Sequence, residues 1–199
     1  MKNTIKELPY DQLFEVIDKN SVSRMIDIAC HKGEHIHDIL QPNFPDAEIV
    51  GVEPKNVNFV ECLKLKTEKL NFFQLDCRAL NRDNVGVFDL VWSFGLIYHL
   101  DDPTQLIKPL QSITHERSYV CIEGHVASKN EQAHMPNPNP PIISKTLDGE
   151  IYHGKMFKEF DEEISDSEKD QLDKASLDNP WSFWLTKESA IVFVSASYH

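Results

Sequence analysis

Glycine is scarce in this chain, seven in 199 residues, and no G-x-G-x-x-G run occurs, which argues against the fingerprint of a nicotinamide-dinucleotide enzyme. Cysteine is scarce too. Cys30, Cys62, Cys77 and Cys121 form no C-x-x-C pair, so they read as reduced thiols rather than a disulfide framework or a zinc site. No apolar run approaches the roughly 20 residues that span a bilayer. The first twenty residues, MKNTIKELPYDQLFEVIDKN, mix charge with apolar side chains and contain no signal-peptide core. These absences make a cytoplasmic protein without a membrane partner the expectation. Basic residues are outnumbered, 20 against 32 acidic, for a net charge of −12. Such a surface repels phosphate backbones and disfavours nucleic acid as a partner. The imbalance is concentrated between Glu159 and Asp173, where eight acidic residues face one lysine, Lys169. That stretch reads as a solvated face.

What is present is alternation. Apolar spacing predicts a helix over Tyr10 to Lys19, with Leu13, Phe14, Val16 and Ile17 inward. Short apolar runs follow at Arg24 to Ala29, Glu48 to Glu53, Phe72 to Leu75, Phe88 to Ser93 and Ser118 to Glu123, each reading as a buried strand. Helical segments lie between them: Glu34 to Leu40, ended by Pro42 and Pro45; Val57 to Lys69; and Pro103 to Ser112. Strand–helix alternation predicts an α/β fold, a Rossmann-like, doubly wound, mostly parallel sheet with helices on both faces. At 199 residues the chain is expected to form a single domain: an N-terminal helix (1–22), a core (23–127), a lid or insertion (128–185) and a C-terminal helix or strand (186–199). The proline-rich run Met135 to Pro141 is expected to be an extended loop, and 142–180 to be polar and irregular.

Ligands of such sheets bind beyond the carboxyl ends of the strands, so the residues just after each strand matter most. The first strand ends Asp27-Ile-Ala-Cys-His-Lys-Gly33. A glycine-rich loop of the form D-x-G-x-G-x-G would place its glycines at Ala29, His31 and Gly33, and only the last is glycine. A plain strand-to-helix turn explains the segment equally well. Glu53 ends the second strand, 26 residues after Asp27, where a carboxylate can accept from a ribose diol; a surface glutamate is the bland reading. Asp76-Cys77 follows the third strand, where an acceptor could meet an adenine amino group or Asp76 could simply cap a turn. Ser93-Phe94-Gly95 follows the fourth, and glycine there permits backbone conformations that other residues reach only at a cost.

The series MIDIACHKGE, IVGVEPKNVN, FFQLDCRAL, FDLVWSFGLIYHLDDP and YVCIEGHV resembles the class I S-adenosylmethionine-dependent methyltransferases. The stretch GLIYHLDDP is similar to a subgroup of small-molecule and tRNA-modifying methyltransferase-like proteins, as is SLDNPWSFWLTKES at Ser176 to Ser189. The resemblance implies S-adenosylmethionine as cofactor and methyl transfer to a small-molecule substrate. It further implies that Asp27, Ala29, Cys30 and Gly33 line the methionine and ribose side, and that Glu53 holds the ribose with Pro54 behind the adenine. Asp76 and Cys77 would bracket the ring, and Ser93, Phe94 and Gly95 would floor the pocket. Ala29 and His31 depart from the family's glycines.

For the reaction itself, His99 is the candidate general base, against a histidine that packs a helix start. Glu123 and His125 end the fifth strand on the expected substrate side. Tyr98, Tyr152, His153, Trp181 and Trp184 are aromatics for a cavity wall or for a hydrophobic plug. His31, His35 and His37 cluster in sequence, but His31 should lie in the turn, so no metal is expected. The resemblance also implies two further strands beyond the last helix, so a truncated sheet is one expectation for the C-terminus. The other is that the β-branched Ala190 to Tyr198 is itself a strand. A missing edge would invite a homodimer. Two other functions stay open: a catalytically inactive relative used for binding, motivated by Ala29 and His31, and a tRNA-modifying relative.

Overall fold

The computed structural model describes residues 10–128, 140–161, 163–172 and 175–196. They fall into two compact units, one of 10–94 with 108–122 and one of 95–107 with 123–196.

The first unit is built on a five-stranded sheet, β1 (Arg24–Ile28), β2 (Glu48–Val52), β3 (Leu70–Phe73), β4 (Leu90–Phe94) and β5 (Tyr119–Glu123), in the order β3-β2-β1-β4-β5. Pairs β1–β2, β2–β3 and β1–β4 are parallel, with Asp27 opposite Gly51 on one side and Trp92 on the other. The order reverses between β1 and β4, which is the switch point where α/β sheets bind ligands. This is the Rossmann-like sheet expected from the alternation. The central strands are buried along nearly their whole length, which is why they read as continuous apolar runs rather than alternating ones.

Helix α1 (Tyr10–Val16) anchors through Phe14, whose ring stacks 5.8 Å from Trp92; Trp92 in turn stacks 3.9 Å from Phe94. Val16, expected inward, is 65% exposed. Pro42 does not end the segment after β1. A π turn over Ile36–Leu40 runs directly into α2 (Gln41–Asn43), which contains Pro42 and ends before Pro45. The helix expected to reach Lys69 stops early, as α3 (Asn56–Leu63). Between β3 and β5 lie α4 (Arg82–Val85), capped by Asn81, and α5 (Ile107–Ser112), preceded by a 3-10 turn over Pro103–Leu106.

The second unit holds what the sequence left irregular. β6 (Ile143–Leu147), β7 (Glu150–Lys158) and β8 (Trp181–Leu185) form an antiparallel sheet in the order β6-β7-β8. Asp148 and Gly149 turn the β6–β7 hairpin with φ of 47° and 86°, the left-handed pair that an Asp-Gly dipeptide favours. The short helix α6 (Asp166–Gln171) carries a capping box between Ser165 and Glu168. The last element, α7 (Lys187–Ala196), is a helix, so Ala190–Ala196 is not a strand. Thr186 starts it, accepting from Ser189 N–H at its hydroxyl and from Ala190 N–H at its carbonyl, and this cap outweighs the β-branched composition. Lys129 to Asn139, with most of the proline run, lies outside the described residues. No helix among those described is long and apolar enough to cross a membrane.

Candidate functional site

The carboxyl ends of β1, β2 and β4 concentrate unusual chemistry. Leaving β1, the chain adopts positive φ at Ala29 (60°), His31 (54°) and Gly33 (86°), the three places where a glycine-rich loop would have its glycines. A left-handed backbone costs a non-glycine residue roughly 1–2 kcal/mol, so the loop is held there by its surroundings. Cys30 N–H donates to Val52 O at 2.9 Å, Gly33 N–H to Cys30 O at 2.8 Å, and His31 N–H to Glu53 Oε2 at 3.0 Å. A side chain at Gly33 would be strained at its φ of 86° and would have to push aside Leu65 Cδ1, 2.8 Å from where its Cβ would lie.

Glu53 thus has a structural task that spacing alone did not reveal. Its other oxygen accepts from Lys55 N–H at 2.9 Å and Asn58 Nδ2 at 3.5 Å. Burial raises its carboxyl above the ordinary value, and the Lys55, Asn58 and His31 donors only partly offset this. Asp27 is more extreme. It is 1% exposed, and its Oδ2 has no hydrogen-bond partner among the described residues. Burial first, then the charges of Glu53 and Glu34, push its carboxyl well above the usual range. Ser93 Oγ and Asn58 Oδ1 are likewise buried without partners. Buried polar atoms are normally satisfied, so two orphans on β1 and β4, with a third on α3 in a residue that donates to Glu53, make this the candidate ligand site.

The remaining sequence candidates fall out unevenly. Cys30 turns its thiol into the core, 3.9 Å from Cys62 Sγ. Pro54 follows Glu53 with its carbonyl accepting from Gln74. Asp76 is clasped by Arg78, whose Nε lies 3.0 Å from both carboxylate oxygens and whose N–H caps it at 2.8 Å. Burial opposes ionisation, yet Arg78 holds the Asp76 carboxyl below the ordinary value. Sequence reasoning missed Arg78, two residues on from Asp76. Cys77 is buried, which with Asp76 pushes its thiol up to about 12. His31 pairs with Glu34 at 3.1 Å and His37 with Asp38 at 2.7 Å, while His35 meets Phe94 edge-on. A hollow of about 520 Å³, lined by Phe44, Pro45, Ala47, Ile49 and Lys69 among others, opens at the opposite ends of β2 and β3, away from these groups.

In the second unit Gly95 takes φ of 77°, and its N–H donates to Glu123 O at 3.2 Å. A 3-10 turn over Ile97–His99 is pinned by Phe183 N–H to Leu100 O at 2.8 Å. The Tyr98 ring lies 4.4 Å from His99, 4.5 Å from His125 and 5.5 Å from Trp184; His125 and Phe157 stack on Trp184 at 5.2 and 4.7 Å. Burial, with Glu123 and Glu159, raises the Tyr98 phenol above its ordinary value. Trp184 Nε1 is buried without a partner among the described residues. His99 Nδ1 lies 3.0–3.1 Å from both oxygens of Glu159. Sequence reasoning missed Glu159, which sits 60 residues from its partner in an acidic stretch read as solvated.

Known proteins share this fold. The fold matches the N-terminal domain of EvdMO1 crystallised with SAH, at a TM-score of 0.68 and 18% identity, covering 96% of this chain and 71% of that one. It also matches StiE O-MT, at 0.53 and 17%, covering 61% and 44%. In sequence the chain is 25% identical over 129 residues to the tRNA U34 carboxymethyltransferase of Campylobacter jejuni, covering 59% of this chain and 42% of the relative. It therefore spans about two-fifths of the length of the curated relatives it matches. A model of the methyltransferase domain matches residues 5–172, and on that match the chain belongs to the methyltransferase domain family.

Proposed function

We propose that this chain binds S-adenosylmethionine at the carboxyl ends of β1, β2 and β4 and transfers its methyl group to a small-molecule acceptor. One observation carries the reading: the loop after β1 keeps left-handed backbone at Ala29 and His31 as well as Gly33. Strain of this kind persists where surrounding structure holds it and concentrates at ligand-binding segments. The donor set fits the cofactor. Glu53 has lone-pair capacity left for a ribose hydroxyl beyond the three donors it already serves. Asp27 Oδ2 and Ser93 Oγ offer unpaired acceptors to a ligand that is cationic and carries N–H and O–H groups. Asp76 is assigned to the adenine amino group alongside Arg78, with Pro54 and Cys77 at the ring. Ala29, Cys30 and Gly33 contribute backbone, and Gly95 opens the segment that follows β4.

The bound group supplies a methyl already activated on a sulfonium, so the protein's share is positioning and, for some acceptors, taking a proton. His99, Glu123 and His125 are assigned to the acceptor. The net charge of −12 supports a small acceptor over a polyanion. A calorimetric titration with S-adenosylmethionine and S-adenosylhomocysteine, NADH serving as control, tests the reading. It expects micromolar binding of both and none of NADH. A folded chain that binds neither would refute it and return the inactive relative to the front.

The likeness to the Campylobacter tRNA U34 carboxymethyltransferase favours one second reading, a tRNA acceptor. Bulk tRNA titrated at about 50 and 200 mM salt separates the two, because phosphate contacts weaken steeply with salt. The small-molecule reading expects no binding at either concentration; salt-sensitive binding would favour tRNA.

A further inference from the structure

The Glu159 carboxylate is 2% exposed, a costly position for a charge that nothing compensates. Its compensation is local to the second unit. Oε2 accepts Ser176 N–H at 3.1 Å, and both oxygens face His99 Nδ1. The histidine is fixed as well: Asn179 Nδ2 donates to its carbonyl at 3.0 Å, and Asn179 also donates to Trp181 O at 2.9 Å. Ser176 Oγ donates to Asn179 O, which closes the frame. A carboxylate can only accept, so the shared proton belongs to Nδ1. The ring nitrogen left over, Nε2, makes no hydrogen bond among the described residues, while the His99 side chain keeps 20% exposure. A histidine that only packed a helix start would not need a buried carboxylate, recruited from 60 residues away, to choose its tautomer.

We propose that Glu159 is a positioning residue that holds His99 with Nδ1 protonated, so that Nε2 takes the proton of an acceptor hydroxyl group as its oxygen is methylated. This rests on the methyl-transfer reading above. The step balances. An oxygen lone pair forms the new O–CH₃ bond, the bonding pair of the S–CH₃ bond returns to sulfur, and the hydroxyl proton ends on Nε2, where Glu159 offsets the imidazolium charge. The chemistry selects an acceptor class. A carboxylate acceptor has no proton to lose, and a neutral amine keeps its protons until after transfer. An alcohol or phenol gains most from a base present while the bond forms. The rings of Tyr98, His125, Trp184 and Phe157 form an apolar wall suited to a sugar face or a phenol.

The test uses the full chain with ¹⁵N-labelled histidine and long-range ¹H–¹⁵N correlation, with the His99 signal assigned by its loss in His99→Gln. The neutral wild-type ring should carry its proton on Nδ1. Glu159→Ala should move it to Nε2. Glu159→Gln, whose amide oxygen can still accept, should keep the tautomer. With sugars and phenols as acceptors, Glu159→Gln should lower kcat about 100-fold and leave KM within about threefold, the range expected when a base loses its support. A wild-type ring protonated on Nε2 overturns the proposal. So does a Glu159→Gln variant that turns over a hydroxylated acceptor at the wild-type rate. Should Glu159→Ala fail to fold, the wild-type and Glu159→Gln signals decide. The tautomer is read without any methyl donor, so a chain that failed to bind S-adenosylmethionine would defeat the methyl-transfer reading without touching this result.

Discussion

The two ends of the parallel sheet solve opposite problems with similar residues. At the amino end of β4, Asp89 accepts from Ser23 N–H and Oγ, from Arg24 N–H and from His115 Nε2, at 2.8–3.0 Å. Arg24 beside it donates to Glu48 and to the carbonyls of Val85 and Val87, and lies over the Phe88 ring. Every one of these groups has partners. At the carboxyl ends Asp27 Oδ2 and Ser93 Oγ have none, and Ala29 and His31 hold strained backbone. The electrostatics follow. Burial works against the Asp89 charge, but its donors bring the carboxyl down to about 2, whereas burial and like charges push Asp27 up. One end is fully paired; the other, on the proposed reading, leaves partners to be supplied by a ligand.

Four experiments can break this contrast. The largest effect is expected for Asp89→Ala, which strands several donors at once and should cost about 3 kcal/mol in denaturant unfolding without changing cofactor affinity per folded molecule. Glu53→Gln turns an acceptor toward N–H groups and should weaken S-adenosylhomocysteine binding about 100-fold by calorimetry, the loss of roughly 3 kcal/mol. Stability as a function of pH should separate the two aspartates. Asp27 has a raised folded value, so its contribution is full below its unfolded value of about 4 and declines as pH rises. Asp89 has a depressed one, so its contribution is present above about pH 4 and is lost as pH falls through about 2. Asp27→Asn should therefore remove a decline in stability as pH rises above about 4, and Asp89→Asn a decline as pH falls below about 4. The smallest effect is expected for Ala29→Gly, where relief of left-handed strain exceeds the entropy cost of glycine. Unfolding should show a gain of about 0.5 kcal/mol; a loss would mean that Ala29 is not strained.

The strongly periodic parts of the molecule were legible. Five apolar runs became five strands because buried parallel strands need apolar residues on both faces, and the turn after β1 was flagged by its Asp27-to-Gly33 spacing even with two glycines missing. Boundaries were less so: the helical segment that begins after β1 continues through a π turn at Ile36–Leu40 and past Pro42 to Asn43. The β6–β7 hairpin carried its own Asp148-Gly149 signal but was masked by polar strands, with β6 largely exposed. What no local pattern could show were the long-range pairs. Glu159 reads as one more acid in an acidic stretch until the fold brings it to His99, and Glu53 reads as a ribose ligand until the fold shows it holding the His31 backbone as well.

On the methyl-transfer reading the ligand belongs to the carboxyl ends and not to the amino ends of the sheet. The most direct measurement is S-adenosylhomocysteine titrated calorimetrically into the wild type, Glu53→Gln and Asp89→Asn side by side, each first shown to be folded. Micromolar binding in the wild type and Asp89→Asn with a loss of about 100-fold in Glu53→Gln is the predicted result. Equal affinity in all three, or no binding in a folded wild type, would contradict it.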